Sequence, residues 1–177
     1  PDLPPVPDCP AQPDTPVQPE CPACPECPAP PAEASNSPAL CLGDASQADS
    51  GPLEALMACA QTGAAAGRML ARRANGSCAK ALSALACDHR LAFRRLSAAY
   101  FLITGQRYMP KCAAPSLPAS LALGLRQQFV WEQQWEQKNR QAAQATADPC
   151  LKELYLELAQ EGAFHAGTIR SLLEQMA

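Results

Sequence analysis

From about Pro52 onward, apolar residues recur at alternating three- and four-residue steps in four separate stretches. That spacing keeps one stripe of an α-helix facing inward. The first stretch, about Pro52 to Ala74, carries Leu53, Leu56, Ala60, Gly63, Gly67 and Leu70. Pro52 suits a first helical turn, and Asn75-Gly76 supplies a stop. The second, about Cys78 to Thr104, carries Leu82, Leu85, His89, Ala92, Leu96, Ala99 and Ile103 and ends at Gly105. The third, about Ala119 to Ala147, carries Leu121, Leu125, Gln128, Glu132, Trp135, Asn139 and Ala142. The fourth follows Asp148-Pro149, a cap and first-turn pair, with Leu151, Tyr155, Leu158, Gly162, His165, Ile169, Leu172 and Met176 on its stripe.

The joints set the topology. Asn75-Gly76 and Asp148-Pro149 are tight, so the first two segments and the last two should each form an antiparallel hairpin. The segment Gln106 to Pro118 can reach ~43 Å when extended, enough to carry the chain back along a helix before the next one starts. The expectation is an all-α, antiparallel four-helix bundle with one long crossover, covering residues 51 to 177. Its richness in Ala, Leu, Gln and Glu is a helical composition.

The pattern is different upstream. Proline occupies every third position from Pro1 to Pro31, and acids recur every six residues at Asp2, Asp8, Asp14, Glu20 and Glu26. This hexapeptide repeat fits a polyproline II helix of three residues per turn, with prolines along one edge and acids along another. Residues 1 to 31 are therefore expected to be a proline-rich extended stalk of roughly 95 Å, and residues 32 to 50 a flexible linker. Charge divides the same way. All fourteen Lys and Arg lie at or after Arg68, so the net charge of -3 hides about -8 in the first fifty residues and about +5 in the rest. That excess of base is too small to predict nucleic-acid binding.

Half of the ten cysteines lie before the helical region, so a compact disulfide-stapled fold is not implied and the redox compartment stays open. Cys21, Cys24 and Cys27 have the look of a metal knuckle. Each precedes a proline, however, and would stand ~9 Å from the next along a polyproline axis, too far for a shared ion. Spaced thiols on a stalk are the simpler reading, with capture of a soft metal by Cys21, Cys24 and Cys27, or interchain disulfides of these and Cys9, as the alternatives. No apolar run is long enough to span a bilayer, and no basic-then-apolar leader opens the chain.

Two strings, R-L-S-A-A-Y-F-L-I-T-G-Q-R-Y-M-P (95 to 110) and A-D-P-C-L-K-E-L-Y-L-E-L-A-Q-E-G-A-F-H-A (147 to 166), resemble the end of helix two and the start of helix four in bacterial rubrerythrin-like proteins of the ferritin-like superfamily. The resemblance covers about residues 51 to 176 and none of the stalk. It implies a ferritin-like bundle, slightly favours a cytoplasmic location, and brings a di-iron pattern with it. That pattern takes a Glu from helix one, Glu-x-x-His from helix two, a Glu from helix three and Glu-x-x-His from helix four. Here Ala60 stands at the first position, His89 and Ala92 at the second pair, Glu132 at the third, and Gly162 with His165 at the fourth. Glu161 lies one position off the seam, ~100° around the helix. Two of the six ligands survive, so the resemblance implies a degenerate di-iron site and argues against a di-iron oxidase or peroxidase.

His89, Glu132 and His165 nevertheless all fall on interior stripes near the midpoints of their helices, and they can form one layer. Two readings are open: a buried polar network around Glu132, with no cofactor, or a mononuclear site of two His and one carboxylate that suits one iron or zinc ion. Three functional classes follow. One is a non-catalytic structural or binding module displayed on the stalk to a protein partner or for self-association. Another is a metal-binding or metal-dependent redox protein; were it an enzyme, it would be an iron-dependent oxidoreductase. The last is a cysteine-cross-linked assembly. Arg68, Arg72, Arg73, Arg90, Arg94 and Arg95 crowd the first hairpin, as a solvated face or as an attraction for the acidic stalk or another acidic partner. Asn75-Gly76-Ser77 fits a glycosylation sequon as well as a helix stop, and Phe129, Trp131 and Trp135 read as packing residues.

Overall fold

The computed structural model describes residues 41–176; the stalk, the first part of the linker and the stalk cysteines lie outside the described residues. The described chain is helical: a 3-10 helix at Asp44–Asp49, then α1 (Ser50–Ala71), α2 (Gly76–Thr104), α3 (Leu121–Ala145) and α4 (Pro149–Glu174). Each helix stops where the backbone chemistry requires it. Gly105 takes φ 68 and closes α2 by donating its N–H to the Phe101 carbonyl. Asp148 caps α4 by accepting from the N–H groups of Cys150 and Leu151, with Pro149 in the first turn. At the first turn the division differs from expectation: α1 ends at Ala71, and Asn75 serves as the N-cap of α2, with Gly76 at φ 55.

The interior consists of two apolar clusters, one at each end. The first gathers the start of α1 (Leu53, Leu56, Met57), the end of α2 (Leu96, Ile103), the later part of α3 (Trp135, Ala143) and the start of α4 (Leu151, Tyr155, Leu158). The second gathers Leu70 from the end of α1, Leu82 and Leu85 from the start of α2, Leu125 from the start of α3, and Ile169 and Leu172 from the end of α4. These memberships give the directions. The helices of each hairpin, α1 with α2 and α3 with α4, run antiparallel, while α2 and α3 run the same way. The connection from Gly105 to Ser120 therefore travels the length of the bundle. On the way Tyr108 packs on the first cluster, Cys112 reaches the Ala58 carbonyl, Leu117 packs on the second cluster, and Arg73 donates to the Pro118 carbonyl at 2.5 Å.

The stripes of α1 and α2 are buried throughout, and burying a leucine such as Leu53 or Leu96 contributes about 1.5–3 kcal/mol. On α3 the inward position near the C-terminus is Ala143, with Ala142 half-buried, and on α4 the stripe ends at Leu172 because Met176 is exposed.

Residues 41 to 50 depart from the expected linker. Leu42 packs against the first cluster and donates its N–H to Asp148 Oδ2 at 2.6 Å, while Ser46 Oγ donates to the same oxygen at 2.5 Å. Gln47 reaches the Ile103 carbonyl, and Thr146 donates to Asp49. A disulfide joins Cys41 to Cys150 across a separation of 109 residues. The linker reading failed here because low periodicity over ten residues says nothing about partners a hundred residues away. Among the described residues, the folded unit starts at Cys41.

Candidate metal or polar centre

Between the two apolar clusters lies a polar layer. His89 comes from α2, Glu132 from α3 and His165 from α4; they are 1%, 0% and 3% exposed. Helical geometry places them there, since each occupies an inward position on a stripe that is otherwise apolar. The expected convergence is observed: one ligand atom from each of the three lies within 4.8 Å of the other two.

Glu132 is the hub. His89 Nε2 lies 3.0 Å from its Oε1 and 3.2 Å from its Oε2, and His165 Nδ1 lies 3.3 Å from Oε2. Gln128, one turn earlier on α3, donates to Oε1 at 2.7 Å. Burial by itself would push this carboxyl up. The hydrogen bonds from His165 and His89, and the positive charge those rings can carry, outweigh burial and hold it down to about 2. His165 is the other pole. Burial opposes its charged form, yet the carboxylates of Glu132 at Nδ1 and Asp88 at Nε2, the latter 3.3 Å away, raise its pKa above the usual histidine value. With a carboxylate at each nitrogen the charged form of the ring is favoured, and Asp88 closes the chain at the surface.

Indole rings wall this layer. Trp131 and Trp135 stack on each other at 6.0 Å and meet the His89 ring edge-on at 5.1 and 5.5 Å. They occupy space that glycine leaves open. A Cβ at position 63 would lie 2.5 Å from the Trp131 ring, and one at position 162 would lie 2.8 Å from Trp135 Cδ1 and 3.2 Å from the Glu136 backbone nitrogen. Glu161, off the seam and half-buried, pairs with Arg95 at 3.4 Å.

The donor set is one that could hold a single divalent ion. Around such an ion, with bonds of about 2.0–2.2 Å, ligand atoms stand about 3–3.5 Å apart, close to the spacings between each histidine and Glu132. The contacts of Gln128 with Glu132 and of His165 with Asp88 are of the kind that would orient such ligands. A second group of potential ligand atoms, Cys41, Asp148 and Cys150, is of another kind, because its sulfurs are joined to each other.

Sequence reasoning found the three central residues and missed Asp88, which is half-exposed and off the stripe. The signal was weak: an acid immediately before His89, ~100° around α2, where it can face α4. Comparison with protein-family models, with curated proteins and with solved structures gives no match.

Proposed function

We propose that this chain is a ferritin-like bundle of the rubrerythrin kind that has lost its di-iron chemistry and serves as a non-catalytic structural or binding module. The observation that carries this reading is the packing around Gly162. A carboxylate at that position has no room for its first side-chain carbon, because the Trp135 ring and the α3 backbone already fill the space. With Ala60 and Ala92 at two more of the expected ligand positions, the second iron position has lost its ligands and gained an indole wall. The long crossover between α2 and α3 supports the ferritin-like assignment. The Cys41–Cys150 disulfide supports work in an oxidising compartment, and weighs against the cytoplasmic placement the resemblance implies.

A mononuclear site at His89, Glu132 and His165 is the second reading, favoured by Asp88. Its contact with His165 Nε2 turns Nδ1 toward Glu132, where a metal ion can replace the proton. Iron(II) or zinc would suit two imidazoles and one carboxylate and would supply Lewis acidity there. Metal analysis after anaerobic reconstitution with iron(II), and separately with zinc, tests both readings. At most one ion per chain is expected, with helical content unchanged by chelator. Two iron ions per chain would overturn the degenerate reading, and zero with both metals would overturn the mononuclear one.

A further inference from the structure

In the half of the bundle away from the disulfide, the groove between α1 and α2 holds a cleft of about 370 Å³, lined by Arg68, Ala71 and Arg72 from α1 and by Ser83, Ala86, Cys87 and Arg90 from α2. Two further cavities adjoin it through shared arginines. One of about 500 Å³ runs from Arg68 and Arg72 toward Cys112, and one of about 240 Å³ is bounded by Arg68, Arg90 and Phe93.

The charge in this cleft is uncompensated. Arg95 and Arg140 have carboxylate partners, whereas among the described residues no carboxylate lies within ion-pair distance of Arg68, Arg72 or Arg90. Arg68 and Arg72 stand four apart on one helix face, where like charges repel, and Arg90 faces them from the neighbouring helix. The nearest acid in sequence, Asp88, is engaged with His165.

We propose that this cleft is a binding site for a phosphate group carried on a small molecule with a compact apolar part. A carboxylate would neutralise one of the three positive charges. A phosphate brings two charges and three acceptor oxygens, and guanidinium forks pair with such oxygens two at a time. The methyl groups of Ala71 and Ala86 form the apolar part of the wall, and the cleft volume lies at the small-ligand end of the usual range. The site is separate from the His89–Glu132–His165 layer and does not depend on whether that layer holds a metal.

Cys87, exposed and lining the cleft, reports occupancy. The experiment measures the rate of Cys87 alkylation by iodoacetamide in the full, unreduced chain, with peptide mass spectrometry locating the label. Inorganic phosphate, phenyl phosphate and benzoate are titrated at constant ionic strength. Saturable protection is expected from phosphate, tighter protection from phenyl phosphate and little from benzoate. Arg68→Gln and Arg90→Gln should each weaken protection by about tenfold or more, the loss of a charge-assisted hydrogen bond, while Arg126→Gln on α3 should leave it unchanged. Circular dichroism establishes that each variant is folded. Absence of saturable protection in the unaltered chain, protection by benzoate equal to that by phenyl phosphate, or protection insensitive to the Arg68 and Arg90 changes in folded variants would overturn the assignment.

Discussion

At the end of the bundle where α1 begins, a disulfide, a capping aspartate and a 3-10 helix lie over a cluster of fourteen buried apolar residues; the other end has seven and a rim of arginines without carboxylate partners among the described residues. The larger end is also locked by contacts far apart in sequence: Cys41 to Cys150, Leu42 and Ser46 to Asp148, Thr146 to Asp49. The smaller end is held by the Arg73–Pro118 and Gln127–Ser116 contacts and by Arg170 over the Phe129 ring. Local opening should therefore start at the arginine end, with the polar layer as the boundary between a tightly held half and a loosely held one. The lesson is that one bundle with four similar stripes can distribute its stability very unevenly.

The strongest way to break this asymmetry is to remove the disulfide. Replacing Cys41 and Cys150 by serine should cost about 4 kcal/mol, because the closed loop spans 109 residues and the unfolded chain regains its freedom. Urea unfolding would measure the loss, and hydrogen exchange should show the two ends becoming alike. A loss under about 1 kcal/mol would mean that packing alone holds the clasped end.

Next in size is the boundary layer. Glu132→Ala leaves His89, His165 and the Gln128 amide facing one another without their shared acceptor, and should cost about 3 kcal/mol. Because the layer touches both clusters, protection should fall at both ends. A fall at one end alone would show that the layer does not couple them.

Gly162→Ala should destabilise by about 2 kcal/mol, since its methyl group meets the Trp135 ring and the backbone of α3. Gly51→Ala, with nothing within 4 Å of the added carbon, is the matched control and should gain a few tenths. Differential scanning calorimetry separates the two. Asp148→Ala, which removes the cap of α4 and the acceptor for Leu42 and Ser46, should cost about 1–2 kcal/mol and loosen only the clasped end.

The polar layer also carries a pH dependence of its own. Glu132 has its folded pKa lowered from 4.5 to about 2, so its contribution is complete above pH 4.5 and is lost as the pH falls toward 2. His165 is raised above 6.5, so its contribution is complete below pH 6.5 and is lost as the pH rises through the folded value. Together they are most stabilising between about pH 4.5 and 6.5. Urea midpoints across this range should show the plateau, and His165→Gln should remove its alkaline edge. Metal binding would displace the same proton, so occupancy should fall as the pH drops through the raised His165 value.

Much of this architecture was legible in advance, and the reason is locality. Leu53 to Leu70 and Leu151 to Leu172 report their faces through neighbours three or four residues away, so helix positions and inward residues can be read from spacing. The triad was legible by the same logic, because His89, Glu132 and His165 are polar residues on apolar stripes. The long segment from Gln106 to Pro118 betrayed the crossover by its length. What could not be read depended on proximity between distant segments. Ten cysteines admit many pairings, and nothing local links Cys41 to Cys150. The 3-10 helix at Asp44–Asp49 exists through contacts with Asp148, Thr146 and Ile103, and Asp88 acquires its role only when α2 and α4 lie side by side.

The disulfide also decides how the molecule would carry tension. A pull arriving through the segment upstream of Cys41 and resisted at the C-terminus would pass across the sulfur bridge directly into the first turn of α4. The 3-10 helix, α1, α2, the crossover and α3 lie inside the closed loop and would be relieved of load. With the bridge intact, the 109-residue separation it closes is withheld from stretching, about 380 Å of extended chain. In single-molecule extension the intact protein should yield only the short contour of α4. Adding a reductant would release the long remainder, turning a stiff, nearly inextensible link into a compliant one.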